Sequence, residues 1–553
     1  MAQIKTQMIN AILRKAGQFF ADPALRSWAF GRLLGRWPSE PAYAAHQPSY
    51  LDGLLPLVAE TPSGDFSGLA DTPPTQSIEL SLAGEKLKLE PGDEAGLFDR
   101  SFNDVESTMA LHRFAWLPLF GDTVEPAWVA AIWHAWVKDH ADPGDGWAWH
   151  PYTAAERAIN ILVFAQRSGL PGPVNKTLSV LAAHGPAISG RLEYFGDHHT
   201  SNHLANNGRG LFLLGLTLGL PKCAELGGKI LVEEAKRIFA PSGILREGSS
   251  HYHALLAANY GQCADAAVEI ERPEAAALAA VARRARTVTG CLKLPGGVPL
   301  IGDISPDLPP ERVLAALAVS EDREAHALSE DGWHRLDSGP WSGLWHVAPD
   351  GFSHMPGHGH QDCGGFELHF KNEPVFIDPG RGGYGETGEA ALYRSAQVHN
   401  TLSIDDADPY PANKPYYDDT FRRYIGGQPP VVEKNENSIS LSHDGFKRLK
   451  SVGTISRHWK FSPTSIDLSD TIQGSRSHHL LRLLVTPLKV AKTDEGLTLQ
   501  GRDQNFRLTT DGDTTIETIT RWTAYGRGVP ATAIKISIRA ELPWTGHLSL
   551  EAL

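Results

Sequence analysis

The chain has 553 residues, 41% hydrophobic and 21% charged, an ordinary globular composition too long for one typical core, so two or more domains are expected. A formal charge of −13 at pH 7 argues against a general nucleic-acid or membrane-surface binder, although a local basic pocket for an anionic substrate remains compatible with it. Four scattered cysteines, Cys223, Cys263, Cys291 and Cys363, form neither a disulfide framework nor a Cys-based zinc module.

Residues 1–35 read as one or two amphipathic helices, with Ile4, Met8, Ile12 and Leu13 at helical spacing. Lys5, Arg14 and Lys15 are followed by no continuous apolar run. Neither a signal peptide nor a membrane span is read, and a cytoplasmic location is expected in preference to a periplasmic one. Pro, Gly and Ser punctuate residues 38–74 as surface loop, and the alternation over 77–89 around Ala83-Gly84 predicts a small hairpin. Helix-period segments then follow at 109–120, 127–139, 154–168, 175–194, 204–218, 228–240, 253–271 and 274–292, joined by short connections. Such a run with few strands implies an all-α domain: a bundle, solenoid or helical toroid. Beyond about 325–340 the chain turns to short β-branched and aromatic runs bounded by turn residues, the pattern of packed antiparallel sheets.

Three polar clusters stand at element ends in the helical region. Gly146-Trp-Ala-Trp-His-Pro-Tyr152 precedes Thr153-Ala-Ala-Glu156, a capping-box spacing, and its Trp147, Trp149 and Tyr152 suit either sugar stacking or loop packing. The stretch from Tyr194 to Arg209, with Asn202, His203, Asn206 and Asn207, carries more His and Asn than helix capping needs. Arg246-Glu-Gly-Ser-Ser-His-Tyr252-His heads another helix, with Ser249 or Ser250 as cap and a phenol between two imidazoles. In the second half, His358 and His360 flank a glycine and share a face if extended. Asp378 ends an apolar run and His399 lies in Val398-His-Asn-Thr401; two imidazoles and a carboxylate suit zinc or a similar metal.

Taken together the chain resembles the heparinase II/III-like polysaccharide lyases. The resemblance is carried by Phe102-Asn-Asp through His112-Arg-Phe-Ala-Trp-Leu117, Trp149-His-Pro-Tyr152 with Arg157 and Asn160, and Ser201-Asn-His203. It continues through Arg246-Glu-Gly-Ser-Ser-His-Tyr252-His, His358-Gly-His360-Gln-Asp362, Ile377-Asp-Pro-Gly380 and Tyr393-Arg-Ser to His399-Asn-Thr401. The resemblance implies an α/α toroid over residues 1–335 and an antiparallel β-sandwich over 336–553. It also implies β-elimination next to a uronic acid in an anionic oligo- or polysaccharide, with no nucleic-acid partner.

By that resemblance Tyr252 is a Brønsted base, acid or both, Asn202 binds the uronate carboxylate with His203 as rival, and His358 is a second acid/base. Substrate contacts are expected from His203, Arg209, Arg246, Trp147, Trp149 and Tyr152. His360, Asp378 and His399 are expected to hold a structural Zn2+, and no organic cofactor is implied. A phenol titrates near 10, so Tyr252 as base needs cationic or hydrogen-bonding help, for which His251, His253, Arg246 and Arg209 are candidates; as an acid it needs none. Three alternatives remain: a uronate C5-epimerase that reprotonates the same carbanion, a non-catalytic glycan-binding protein, and a glycoside hydrolase using a carboxylate pair from Glu247, Asp303 and Asp362.

Overall fold

A computed structural model describes residues 17, 19–20, 22–37, 47–196, 201–317, 328–354 and 357–553. The positions expected to make an N-terminal amphipathic helix, Ile4, Met8, Ile12 and Leu13, lie outside the described residues. The helix Pro23–Leu33 lies within them, capped by the Asp22 carboxylate, which accepts from Ala24 N at 2.9 Å.

Helices Pro126–His140, Pro151–Ser168, Asn202–Leu218, Ser250–Glu269 and Ala275–Leu292 match the periodic segments to within a few residues, whereas the segment 109–120 divides into Val105–Arg113 and Leu117–Phe120, and the helix expected from 228 begins seven residues earlier, as Pro221–Ile238. Neighbours in sequence pack as pairs, Asn202–Leu218 on Pro221–Ile238 and Ser250–Glu269 on Ala275–Leu292. The single helix expected over 175–194 is instead two, Val174–Ala182 and His184–Ser189. The break falls at Ala183, and Pro186, in the first turn of the second helix, has no N–H to give the Ala182 carbonyl, so the first ladder cannot run on. The expected capping box at Thr153 is also corrected. The helix begins earlier, at Pro151, whose fixed φ and lack of N–H suit a first turn, and Thr153 is buried inside it. Glu156 turns away to Arg209, 2.7 Å distant.

An indole cluster of Trp116, Trp128, Trp133, Trp136 and Trp149 fills the helical core. The buried Arg157 guanidinium lies 3.9 Å over Trp136 and 5.0 Å from Trp149, and donates to the carbonyls of His112 (3.1 Å) and Ala148 (2.6 Å). It thereby fixes the loop that carries Trp147 and His150.

The sandwich begins with the antiparallel meander Trp333–Ser338, Trp341–His346, Gly365–Phe370 and Glu373–Phe376. A second four-stranded sheet orders Asp513–Ala524, Arg527–Glu541, Ser477–Thr486 and Leu402–Ile404, and an eight-stranded sheet runs between the edges Lys489–Thr493 and Val431–Asn435. The edge strand Asp513–Ala524 escapes the sequence pattern because its exposed side gives no apolar alternation. The architecture is an α/α toroid followed by an antiparallel β-sandwich.

The two parts meet along a tight seam. The turn of the hairpin formed by Ile78–Leu82 and Glu85–Leu89 touches the turn between Asp513–Ala524 and Arg527–Glu541. A Cβ added at Gly84 (φ +91°) would stand 2.7 Å from the Gly526 Cα, so two backbones meet where no side chain fits. Beside it the Tyr525 hydroxyl donates to Asp104 Oδ2 at 2.8 Å, and Arg527 pairs with Glu311.

Candidate active site

Between toroid and sandwich lies a cleft of about 440 Å³, lined by Glu106, Arg113, Trp147, His150, Tyr152, Asn202, His203, Tyr252, Asp303, Asp307, His358, Arg381, Tyr384, Glu386 and Arg394 among others. Three helix N-termini aim at it. Ser201 caps Asn202–Leu218 by accepting from His203 N (3.1 Å), placing Asn202 in the first turn. Ser249 caps Ser250–Glu269 by accepting from Tyr252 N (3.1 Å), so the expected cap and the expected catalytic phenol share one turn. Tyr152 stands in the first turn of Pro151–Ser168.

The sandwich side is brought in by backbone contacts. His358 N donates to the Glu247 carbonyl (2.9 Å) and Asp303 N to the His358 carbonyl (2.8 Å). A Cβ at Gly302 (φ +83°) would lie 2.5 Å from the Gly248 carbonyl oxygen, so the three loops converge only with glycine there. As a result the Tyr252 ring lies face to face on His358, centroids 3.7 Å apart and planes 2° from parallel. The Tyr252 and Tyr384 hydroxyls are hydrogen-bonded to each other. His358 Nε2 lies 3.4 Å from Asn202 Nδ2, which donates to Glu247 Oε2 at 3.2 Å. His358 Nδ1 is 3.2 Å from Asp303 Oδ2.

Burial, then the Asp307 charge, pushes the Tyr252 phenol well above its usual value, with Tyr384 and Ser305 pulling weakly the other way. The helpers expected from sequence do not reach it. His253 is spent on Leu245 N and the Ala285 carbonyl, and His251 Nδ1 accepts from Ser305 N at 3.0 Å. Tyr252 is therefore a protonated phenol, the form an acid requires.

Substrate contacts divide. Trp147 is 49% exposed and lines the cleft together with Tyr152 and His203. Trp149 is a correction: it is 2% exposed, its Nε1 donates to the His140 carbonyl, and it packs the core. Arg209 also lies elsewhere, in a separate cavity, tied to Glu156 (2.7 Å) and Gln262 (2.8 Å). Arg246 is exposed outside the cleft, donating to the Arg237 carbonyl at 3.2 Å. The cleft's cations are instead Arg113, Arg381, Arg394 and His203. The His203 pKa is raised; burial opposes its charge, but Glu193, 2.6 Å from Nδ1, outweighs that. Burial likewise disfavours the Glu193 carboxylate, yet His203, His150 and Asn207 bring it down to about 2.

Tyr384, Arg113, Arg381, Arg394 and Glu193 were missed as site residues by sequence reasoning. Arg113 and Arg394 lie inside stretches already singled out, and Tyr384 ends a glycine-rich run after Asp378; nothing in the sequence marks Glu193. The hydrolase reading loses its carboxylates. Asp303 is saturated by His358, His360 (2.9 Å) and Arg381 (3.0 Å); burial opposes its charge, but these partners hold it well below the usual carboxylate range. Glu247 is buried against Asn202 and His358, and Asp362 is buried beside His399.

His360, Asp378 and His399 are brought together as expected, one ligand atom from each lying within 4.8 Å of the others. His360 Nε2 faces Asp303, leaving its buried Nδ1 without a hydrogen-bond partner among the described residues. His399 Nε2 faces the Tyr393 carbonyl (2.9 Å), turning Nδ1 to Asp378 Oδ2 at 2.9 Å. Two imidazole nitrogens and a carboxylate oxygen, oriented by outer hydrogen bonds, fit a divalent cation of the zinc type. Burial disfavours charge on His399, but the Asp378 carboxylate outweighs it and raises the imidazole pKa to about 9.

Residues 320–546 match the family described as heparinase II/III-like, C-terminal. Among solved structures the chain is similar to a crystal structure of heparinase III, with TM-score 0.59, 15% identity and coverage of 82% of this chain and 79% of that one. It is also similar to a heparan sulfate lyase from Pedobacter heparinus, with TM-score 0.51, 15% identity and coverage of 84% and 79%. At these identities the likeness supports the fold. No curated protein sequence matches the chain.

Proposed function

We propose that the chain is a polysaccharide lyase that cleaves a uronic-acid-containing glycan by β-elimination, a reading supported by the match of residues 320–546 to the heparinase II/III-like C-terminal family. The observation that supports this best is the Tyr252 ring stacked on His358 beside Asn202, an acid, a base and a carboxamide on one side of one cleft. The uronate carboxylate opposes removal of the C5 proton, because the carbanion adds charge next to it. Asn202 Nδ2 and the protonated His203 offset that charge by hydrogen bonding and Coulomb attraction. His358, its Nδ1 proton held by Asp303, keeps a lone pair at Nε2 to take the C5 proton. The C5–H electron pair becomes the C4=C5 bond, the C4–O4 bond breaks, and the Tyr252 hydroxyl protonates the departing O4. Turnover closes when His358 releases the C5 proton to solvent and the hydrogen-bonded Tyr252–Tyr384 hydroxyl pair takes one proton back from solvent. His360, Asp378 and His399 would hold Zn2+ as a structural ion, whose chemistry is to fix the loops bearing His358 and Tyr384.

The test is ultraviolet absorbance in the band of a 4,5-unsaturated uronate during incubation with a panel of uronate polymers and oligomers, Tyr252→Phe alongside. A rise that the variant lacks is expected. No rise with any member, together with deuterium uptake at C5 from heavy water, would assign the C5-epimerase instead. New reducing ends without absorbance would assign a hydrolase.

A further inference from the structure

Most of the charge in the cleft is already matched inside the protein. Arg113 is committed to Glu106 (3.3 Å) and Asp307 (2.9 Å), the latter also accepting from Tyr152 at 2.6 Å. Arg381 is committed to both oxygens of Asp303 and to the carbonyls of Ala390 (2.7 Å) and Gly385 (2.9 Å). Arg394 differs. Its backbone is fixed beside the histidine loop, its carbonyl accepting from Gln361 N at 2.8 Å, yet among the described residues its guanidinium forms neither an ion pair nor a hydrogen bond. Burial, opposed by Asp303, lowers its pKa, the state of a cation partly stripped of water without a partner in contact. A planar five-donor group held in this way is suited to bind an oxyanion in two-point geometry.

We infer that Arg394 forms a second anion subsite, which takes a carboxylate or sulfate on the sugar next to the scissile uronate. The inference rests on the lyase reading.

Binding by calorimetry in a Tyr252→Phe background, with and without Arg394→Gln, tests it without turnover. Three tetrasaccharides serve as probes: an unsulfated alternating uronate–N-acetylhexosamine, the same with one O-sulfate per hexosamine, and a uronate homopolymer. Arg394→Gln is expected to cost about tenfold in affinity for one of the two more highly charged probes, and under threefold for the unsulfated alternating one. Arg394→Lys should restore part of the loss. A selective loss on the sulfated probe identifies sulfate as the anion, and one on the homopolymer identifies a neighbouring carboxylate. Equal loss on all three, or none, overturns the subsite. If the Tyr252→Phe protein binds none of the probes while the wild type also shows no absorbance rise, the lyase reading fails first, a separate outcome.

Discussion

One short segment, His358-Gly359-His360, serves two regions of opposite character. On its cleft side, His358 Nε2, the Tyr252–Tyr384 hydroxyl pair and Arg394 retain hydrogen-bonding capacity that the protein does not use. On its other side, His360, His399, Asp378 and Asp303 are buried, and nearly every polar atom meets another. Asp303 joins the two, holding both imidazoles and Arg381. The difference separates polar groups that maintain the structure from those left to meet a ligand. Burial alone does not separate them, since Tyr252 is as buried as His360.

The sharpest way to break this comparison is Tyr252→Phe. It should lower kcat by about a thousandfold, within the usual range for a general acid, and leave the melting temperature nearly unchanged. A near-normal rate removes Tyr252 from the chemistry. Asp303→Asn should damage both sides together. It leaves Arg381 and two imidazoles underpaired, a loss of about 3–5 kcal/mol by denaturant titration, and frees the His358 tautomer, so activity falls as well. Loss of only one property would show that Asp303 does not couple the regions.

His399→Ala should act first on the buried side and reach the cleft only through the loops that carry His358 and Tyr384. If the triad holds a divalent cation, as proposed, elemental analysis should show that the variant has lost it, and stability should fall by about 2–4 kcal/mol. Unchanged metal content and melting temperature would remove it from the triad. The smallest expected effect is in pH dependence, because His203 is partly exposed and solvent screens its pairing with Glu193. His203, raised above 6.5 by Glu193, contributes stability that is fully present below 6.5 and lost as pH rises through its folded value. Glu193, depressed to about 2, contributes above 4.5 and loses its contribution as pH falls through 2. In the lyase reading kcat/KM falls on the same alkaline limb as His203 deprotonates; His203→Gln should flatten that limb, and an unaltered profile would exclude His203 as its origin.

The order of elements was legible because helical and alternating periods are properties of local sequence. The meeting of Asn202, Tyr252 and His358 at one cleft, and of His360, Asp378 and His399 in one cluster, agrees with the expectation drawn from the resemblance, which rests on short motifs rather than on local periodicity. Selection among the cations and aromatics was not legible. Arg209 and Arg113 lie in equally polar stretches, and only the packing sends one to a separate cavity and the other to the cleft. Trp147 and Trp149 are two residues apart, and the Arg157 guanidinium, eight residues beyond Trp149, draws one ring inside. Asp303 was visible as a carboxylate, but its three partners are 55 or more residues away in sequence, beyond any local pattern.

The meeting of Gly84 with Gly526, flanked by Tyr525–Asp104 and Arg527–Glu311, has a mechanical consequence. Because the Tyr384 amide donates to the Tyr525 hydroxyl at 3.1 Å, the joint between the two halves also anchors a residue that lines the cleft. The one hydroxyl that crosses to Asp104 of the toroid is thus also the acceptor for Tyr384 N, so in the lyase reading the placing of Tyr384 in the cleft depends on the joint staying closed. A bulky residue at Gly84 should then act at a distance, wedging the joint open and lowering kcat with no contact to substrate.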